Sequence, residues 1–143
     1  MKFEKDLRNY TIKETPPYIK EVNVYTINFY ALSEEVKQFN KEINWDKMWD
    51  VNEAKNRLMN NWKLIVFMPD TTIKGWIWLD NTNEPKNIYV NKEYRNKGIG
   101  KELYYEMYNL CKKNNIEKIQ GYIDDWNISS IKCIKNAGWN VVL

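Results

Sequence analysis

The order of periodic segments in this chain predicts an α/β (α+β) fold: strand, helix, helix, three strands, helix, strand, helix, strand. Three observations carry that expectation. A strand-like run, Ile88-Tyr89-Val90, turns through Arg95-Asn96-Lys97-Gly98-Ile99-Gly100 into a helical segment. Within that segment Ile99, Leu103, Met107 and Leu110 recur at three and four residues, which gives one apolar stripe that must lie on a sheet. Upstream, 62–68 and 73–79 read as a hairpin around Pro69-Asp70-Thr71-Thr72. At 143 residues the chain suits one domain, 1–143, with residues 1–21 as an N-terminal extension.

Taken in order, 22–32 carry Val, Tyr, Thr, Ile and Phe at strand density, although Tyr18, Ile19, Val22, Tyr25, Thr26 and Phe29 also suit a helix started by Thr15-Pro16. Ser33 then reads as the N-cap of a helix with Val36, Phe39 and Ile43 on one face. Asp50 with Glu53 makes a capping-box-like start for a second helix bearing Val51, Ala54 and Leu58. The hairpin follows, and 81–84 turn the chain into the strand ending at Val90. Asn114-Asn115 ends the helix after the glycine loop; a strand at 119–123, a helix to Asn136 and a last strand at 140–143 complete the pattern.

Composition narrows the function classes. Net charge is +3, and only Arg8, Arg57 and Arg95 among the 22 basic residues are Arg. The lysines are scattered, without the interleaving of Arg and aromatics that a nucleic-acid groove shows, so no nucleic-acid partner is expected. The chain has no His and two Cys, and no metal site is expected. Apolar runs are too short to span a bilayer, the first residues are polar and charged, and Cys111 and Cys133 read as buried thiols on helices; a cytoplasmic location follows as the expectation.

The strand-to-helix turn through two glycines leaves backbone N–H groups unpaired at the positive end of a helix dipole, which makes an anion site, with phosphate as the expected anion. Neither standard nucleotide motif fits. The dinucleotide fingerprint needs glycine where Leu103 stands, and the P-loop needs it at Glu93. What remains is R-x-x-G-x-G, and from about Ile73 to Trp139 the chain resembles the GNAT superfamily of N-acetyltransferases in the order and spacing of Ile88 and Val90, the loop, the helix, 119–123, Asn127 and Gly138-Trp139. The resemblance implies a mixed, mostly antiparallel sheet flanked by helices, with one βαβ crossover after the glycine loop.

It also implies acetyl-CoA as co-substrate and transfer of its acetyl group to a primary amine of a small molecule or a protein. The pyrophosphate would then rest on the N–H groups of Asn96, Lys97, Gly98, Ile99, Gly100 and Lys101, with charge added by Arg95 and Lys97. The pantetheine arm would pair with the backbone near Ile88, Tyr89 and Val90, and Asn127 would reach the same arm or serve as a helix N-cap. For the base that deprotonates the amine, Glu84 matches the histone-acetyltransferase spacing and Asp124, with Asp125, is the rival; either can also be a solvated turn carboxylate. Trp45, Met48, Trp49 and Trp126 fall near segments that line the acceptor mouth in that family, whereas Trp76, Trp78 and Trp139 read as core.

Two departures stand out. Where many family members carry a Tyr that protonates the departing thiolate, this chain has Ile134, which leaves open a catalytically weak CoA-binding module acting as sensor or scaffold. The final strand of the family's closing hairpin has no counterpart after Gly138-Trp139, so the edge of 119–123 needs a partner. The candidates are Tyr10-Thr11-Ile12 of the extension or a second subunit, and a homodimer is favoured because Pro16-Pro17 would hinder a continuous N-terminal strand.

Overall fold

The computed structural model describes residues 1–43 and 49–143. Among these residues seven strands form two antiparallel sheets. One has the order β2(Ile19–Val22), β3(Lys63–Phe67), β4(Gly75–Leu79), β5(Pro85–Val90); the other has the order β6(Lys118–Tyr122), β1(Lys2–Asp6), β7(Asn140–Val142). The helices α1(Phe29–Ile43), α2(Val51–Met59), α3(Ile99–Lys113) and α4(Ile128–Asn136) cover them.

Alternation along the central strands divides the interior into two cores. Ile65, Phe67, Ile77 and Leu79 pack with Leu103, Met107 and Tyr108 of α3 on one face. On the opposite face Leu64, Val66, Trp76 and Trp78 pack with Leu32, Val36 and Phe39 of α1 and Ala54 of α2. Every residue of β4 is therefore buried. Trp76 and Trp78 lie in the core, as does Trp139, which joins the α3 side.

The 22–32 segment departs from the strand expectation. Only Val22 belongs to β2, and α1 begins at Phe29. Two asparagines account for the change. Asn23 Oδ1 accepts the N–H groups of Tyr25 and Thr26 at 2.9 and 3.1 Å, closing a turn, and Asn28 Oδ1 accepts that of Ala31 at 3.0 Å, capping the helix. Ser33 accordingly lies inside α1 rather than at its cap. Asp50 does cap α2, accepting the N–H of Glu53 at 2.9 Å.

The N-terminal extension supplies the missing strand, but with 2–6 instead of 10–12. In register, Phe3 faces Gly121 on β6 and Val141 on β7, so β1 fills the slot between them from the chain's own sequence. The edge that suggested a partner's strand is thus already paired. Tyr10 serves elsewhere: its hydroxyl donates to Asn109 Oδ1 at 3.0 Å on α3. The sequence Lys-Phe-Glu-Lys-Asp hides the strand because a single large apolar residue, Phe3, is buried to 0% exposure, with Leu7 just beyond it.

Truncating Phe3 to alanine should cost about 3–5 kcal/mol, because it empties a fully enclosed site. Ile12→Ala, at a residue 44% exposed, should stay within about 0.5 kcal/mol of the parent. Denaturant unfolding of both variants measures the difference.

Candidate active site

Between β5 and β6 the two sheets part. No ladder joins these strands among the described residues, and a cleft of ≈ 280 Å³ opens where they separate. Pro85, Asn87 and Ile88 line it from β5, and Gly121 to Asp124 from β6 and the turn beyond. Asn127, Ser130 and Ile134 of the α4 region and Tyr104 of α3 complete the wall.

The shape of β5 comes from a bulge. Its register against β4 shifts between Ile77, opposite Ile88, and Trp78, opposite Lys86, which leaves Asn87 as the extra residue at φ 57. Asparagine tolerates that left-handed conformation better than other non-glycine residues. Its Oδ1 accepts two indole N–H groups, Trp76 Nε1 at 2.8 Å and Trp49 Nε1 at 3.1 Å, which ties this exposed bulge residue to the tryptophans of the core beneath it. Sequence reasoning missed Asn87; the signal was an Asn set inside an otherwise strand-like run.

Beyond β5, Asn91 caps a single 3₁₀ turn at Lys92–Tyr94, accepting the N–H of Glu93 at 3.0 Å, and the glycine loop follows. Asn96 and Gly98 both sit at positive φ, 62 and 82. Open space surrounds the point where a Cβ on Gly98 would stand, whereas a Cβ on Gly100 would meet Cys133 Sγ at 2.9 Å. The two glycines therefore do different jobs: Gly98 permits the turn and Gly100 permits α3 to approach α4. The first amide of this region to find an acceptor is Glu102, which donates to Gly98 O at 3.1 Å. From Asn96 to Lys101 the six backbone N–H groups have no acceptor among the described residues. They stand at the positive end of a 15-residue helix.

Charges around this loop are arranged differently from the sequence expectation. Arg95 donates from Nε to Val90 O at 2.8 Å, pairs with Glu42 of α1 and lies 5.9 Å from the Tyr89 ring centroid. Its charge holds the loop to α1. Lys97 and Lys101 reach over the rings of Tyr94 and Tyr105 at 5.7 and 5.5 Å. Tyr89 turns its side chain away from the cleft, and its hydroxyl donates to Glu35 Oε2 at 2.8 Å; burial pushes the Tyr89 hydroxyl above its ordinary pKa.

The acidic candidates separate. Asp124 lines the cleft and is exposed. Glu84 does not line it; its carboxylate faces Lys86 Nζ at 3.4 Å and its N–H donates to Asp80 Oδ1 at 3.0 Å. Asp125 pairs with the Met1 ammonium at 3.0 Å. Asn127 lines the cleft and caps α4, accepting the N–H of Ser130 at 3.2 Å, as its N-cap reading expects. Ile134 faces the cleft with an apolar side chain only. Cys133 and Cys111 are free thiols, and burial raises both, Cys111 to about 11.

The expected aromatic acceptor pocket is not assembled by Trp49. That residue is 7% exposed, packed 5.0 Å from Trp76 and 5.5 Å from Trp78 between ring centroids, and belongs to the core. Trp126 is exposed, one residue before Asn127, and Trp45 and Met48 lie outside the described residues. Among the described residues no cluster of acidic and cysteine side chains could hold a metal ion, and no helix is long and apolar enough to cross a membrane.

With two splayed sheets and a glycine loop at a helix start, the chain matches the acetyltransferase (GNAT) family over residues 36–139, and it belongs to that family. No curated protein matches it. Solved structures share the fold. An acetyltransferase of the same family from Staphylococcus aureus Mu50 is similar at 25% identity and TM-score 0.67, with 87% of this chain and 86% of that one covered. An aminoglycoside acetyltransferase from an uncultured soil metagenomic sample gives 14% identity and TM-score 0.69 over 87% and 91%. A predicted acetyltransferase from Clostridium acetobutylicum, solved with acetyl-CoA, gives 16% and 0.65 over 87% and 90%. Against two longer chains, from Drosophila and Sphaerobacter thermophilus, this one spans 47% of their length.

The Gly100 contact yields a sign test. In the parent, Gly100→Ala should destabilise by about 1–3 kcal/mol through overpacking against Cys133, in spite of alanine's helix preference of about 1 kcal/mol. In a Cys133→Ala background the same change should be neutral or stabilising. Thermal melting of the four chains of that cycle measures it.

Proposed function

We propose that this acetyltransferase uses acetyl-CoA as donor and acetylates a primary amine of a small molecule or a protein. The observation that carries the reading is the row of six unpaired N–H groups from Asn96 to Lys101, at the start of the helix whose Tyr104 lines the β5–β6 cleft. A diphosphate suits that row, because each charge-assisted bond is worth about 1.5–3 kcal/mol and no side chain fills the space beside Gly98. The free edge of β5 at Ile88 to Val90 offers backbone groups to an extended amide-bearing arm, and a backbone N–H there can polarise a carbonyl. Acetyl-CoA supplies the activated thioester; the chain's part is to bind it, orient it and manage protons.

An alkylammonium holds its proton to pH ~10.4, so the acceptor must lose it before attack. Asp124 is the better-placed base, since it lines the cleft while Glu84 faces Lys86 outside it. A carboxylate at the mouth also attracts a cationic acceptor. The second reading, a CoA-binding module with little catalysis, is favoured by one observation: Ile134 brings no acid to the cleft.

Acetyl-CoA should raise the melting temperature of the parent, and Gly98→Glu should abolish the shift while the fold survives, because the added carboxylate occupies and repels the anion site. Equal protection of both chains would remove the loop assignment. Release of free thiol with a panel of amines separates the enzyme from the silent binding module.

Asp124→Asn should lower kcat by about a hundredfold, within the range for a lost general base, with the acetyl-CoA melting shift retained. Glu84→Gln should leave kcat within about twofold of the parent. Steady-state kinetics with the best amine of the panel decides between them, and the opposite ranking would move the base to Glu84.

A further inference from the structure

Along and just beyond β1, the face that meets α3 carries Phe3, Lys5 and Leu7, and both apolar neighbours of Lys5 are buried in the α3 core. A lysine in the middle breaks the period-two pattern of that face. A charge pointed inward can guard the border strand of a sheet, but β1 lies between β6 and β7 and has no open edge to guard. The Lys5 ammonium stands over the Tyr108 ring, 5.4 Å from its centroid, and a Cβ on Gly138 would meet it at 3.0 Å. It makes no hydrogen bond or ion pair among the described residues.

Lys5 lines a further cavity, of ≈ 370 Å³, which shares no lining residue with the β5–β6 cleft. That volume lies within the range of about 300–1,000 Å³ usual for ligand pockets. Lys13 of the N-terminal extension lines it too, its ammonium 4.1 Å from the Tyr105 ring centroid and likewise without a carboxylate partner. Tyr10 and Tyr105 give the cavity aromatic surface, and the exposed amides of Asn9 and Asn136 stand at its border. Its acids are spoken for. Asp6 accepts Arg8 Nε and Nη2 at 3.1 and 2.6 Å, which holds its carboxyl well below the usual carboxylate range. Glu106 of α3 does not line the cavity, and burial, with Tyr105 and Glu106 adding to it, pushes the Tyr10 hydroxyl up to about 12, so that ring stays neutral. Two positive charges therefore converge on one concavity that supplies no free anion of its own.

We propose that this cavity binds a small organic dianion, a phosphate monoester or a dicarboxylate carried on a planar ring, with its charges on the ammonium groups of Lys5 and Lys13 and its ring against Tyr10 and Tyr105. A dianion balances both cations and removes the repulsion between them. Lysine suits either head group, because its ammonium is a compact point charge with three donors and demands no planar fork from its partner. A ligand so held bridges the N-terminal extension, α3 and the turn at Gly138 that ends α4, the helix whose other residues Ser130 and Ile134 line the cleft. The proposal stands apart from the acetyl-transfer reading, since none of its residues belongs to the glycine loop or to the cleft wall.

Phenyl phosphate and phthalate serve as probes, with benzoate as the singly charged control, in calorimetric titrations of the full chain at constant ionic strength and about pH 8, above a second phosphate pKa of ~6. At least one dianion should bind the parent with a Kd below about 1 mM and about tenfold more tightly than benzoate. A tighter phenyl phosphate identifies a phosphate monoester as the natural head group, and a tighter phthalate identifies a dicarboxylate; either result supports the site. Lys13→Gln and Lys5→Gln should each weaken the better probe about tenfold, while Lys20→Gln, an exposed lysine of β2, should leave it unchanged. Lys13 is exposed, so its variant carries the test even where Lys5→Gln disturbs the core beneath it. Amide resonances of the labelled protein locate the probe: those of Lys5, Lys13, Tyr105 and Gly138 should shift. Shifts confined to 96–101 would assign the anion to the glycine loop and overturn the proposal. Absence of millimolar binding by both dianions, benzoate binding as tightly as they do, or a Lys13→Gln variant that binds like the parent would overturn it as well.

Discussion

A strand at the border of a sheet keeps half its backbone polar groups unpaired, and the architecture of this protein depends on how β5 is kept in that state. The extra residue Asn87 turns the strand, and two tryptophan N–H groups hold its amide oxygen from the core side. Both bonds are partly buried, so releasing the bulge would leave two indole donors and an amide oxygen to find new partners. The bend is therefore held in place by Trp49 and Trp76, residues that contribute nothing else to the cleft. A core rich in tryptophan is the means by which the bulged edge of β5 keeps its shape.

A second constraint ties the glycine loop to the opposite face of the sheet. Glu35 of α1, 3% exposed, accepts Tyr89 Oη at 2.8 Å, Asn91 Nδ2 at 2.7 Å and Lys74 Nζ at 3.4 Å. A carboxylate so enclosed is tolerable only because its oxygens are filled by donors. Two turns further along α1, Glu42 takes Arg95. One helix thus grips both ends of the segment between β5 and α3, and the N–H row at the start of α3 inherits its position from residues that sit on the other side of the sheet.

The glycine loop, the α3 stripe and the hairpin were legible because each rests on local chemistry: positive φ at Gly98, a 3.6-residue period, a turn rich in Asp and Thr. What escaped was set by distant partners. The 22–32 segment has strand composition, but Asn23 and Asn28 find acceptor roles that composition does not weigh. β1 was illegible because its burial rests on Phe3 alone, and its polar neighbours are ordinary for a strand whose other faces meet solvent. Glu84 matched a family spacing along the chain, but a count of residues does not report which way a turn faces, and its carboxylate meets Lys86.

The threading of β1 between β6 and β7 has a consequence for how the chain acquires its shape. Phe3 must wait for Gly121 and Val141 before it has a slot to enter, so the second sheet is assembled from contacts that span nearly the whole sequence. Such long closures are slow relative to helix formation, and during synthesis the early strand emerges well before either of its neighbours. The first sheet, whose hairpins close locally between β3, β4 and β5, can settle sooner. Completion of the cleft, whose far wall is β6 and α4, is then among the last events of folding, so a chain interrupted before that point would hold the glycine loop beside half a cleft.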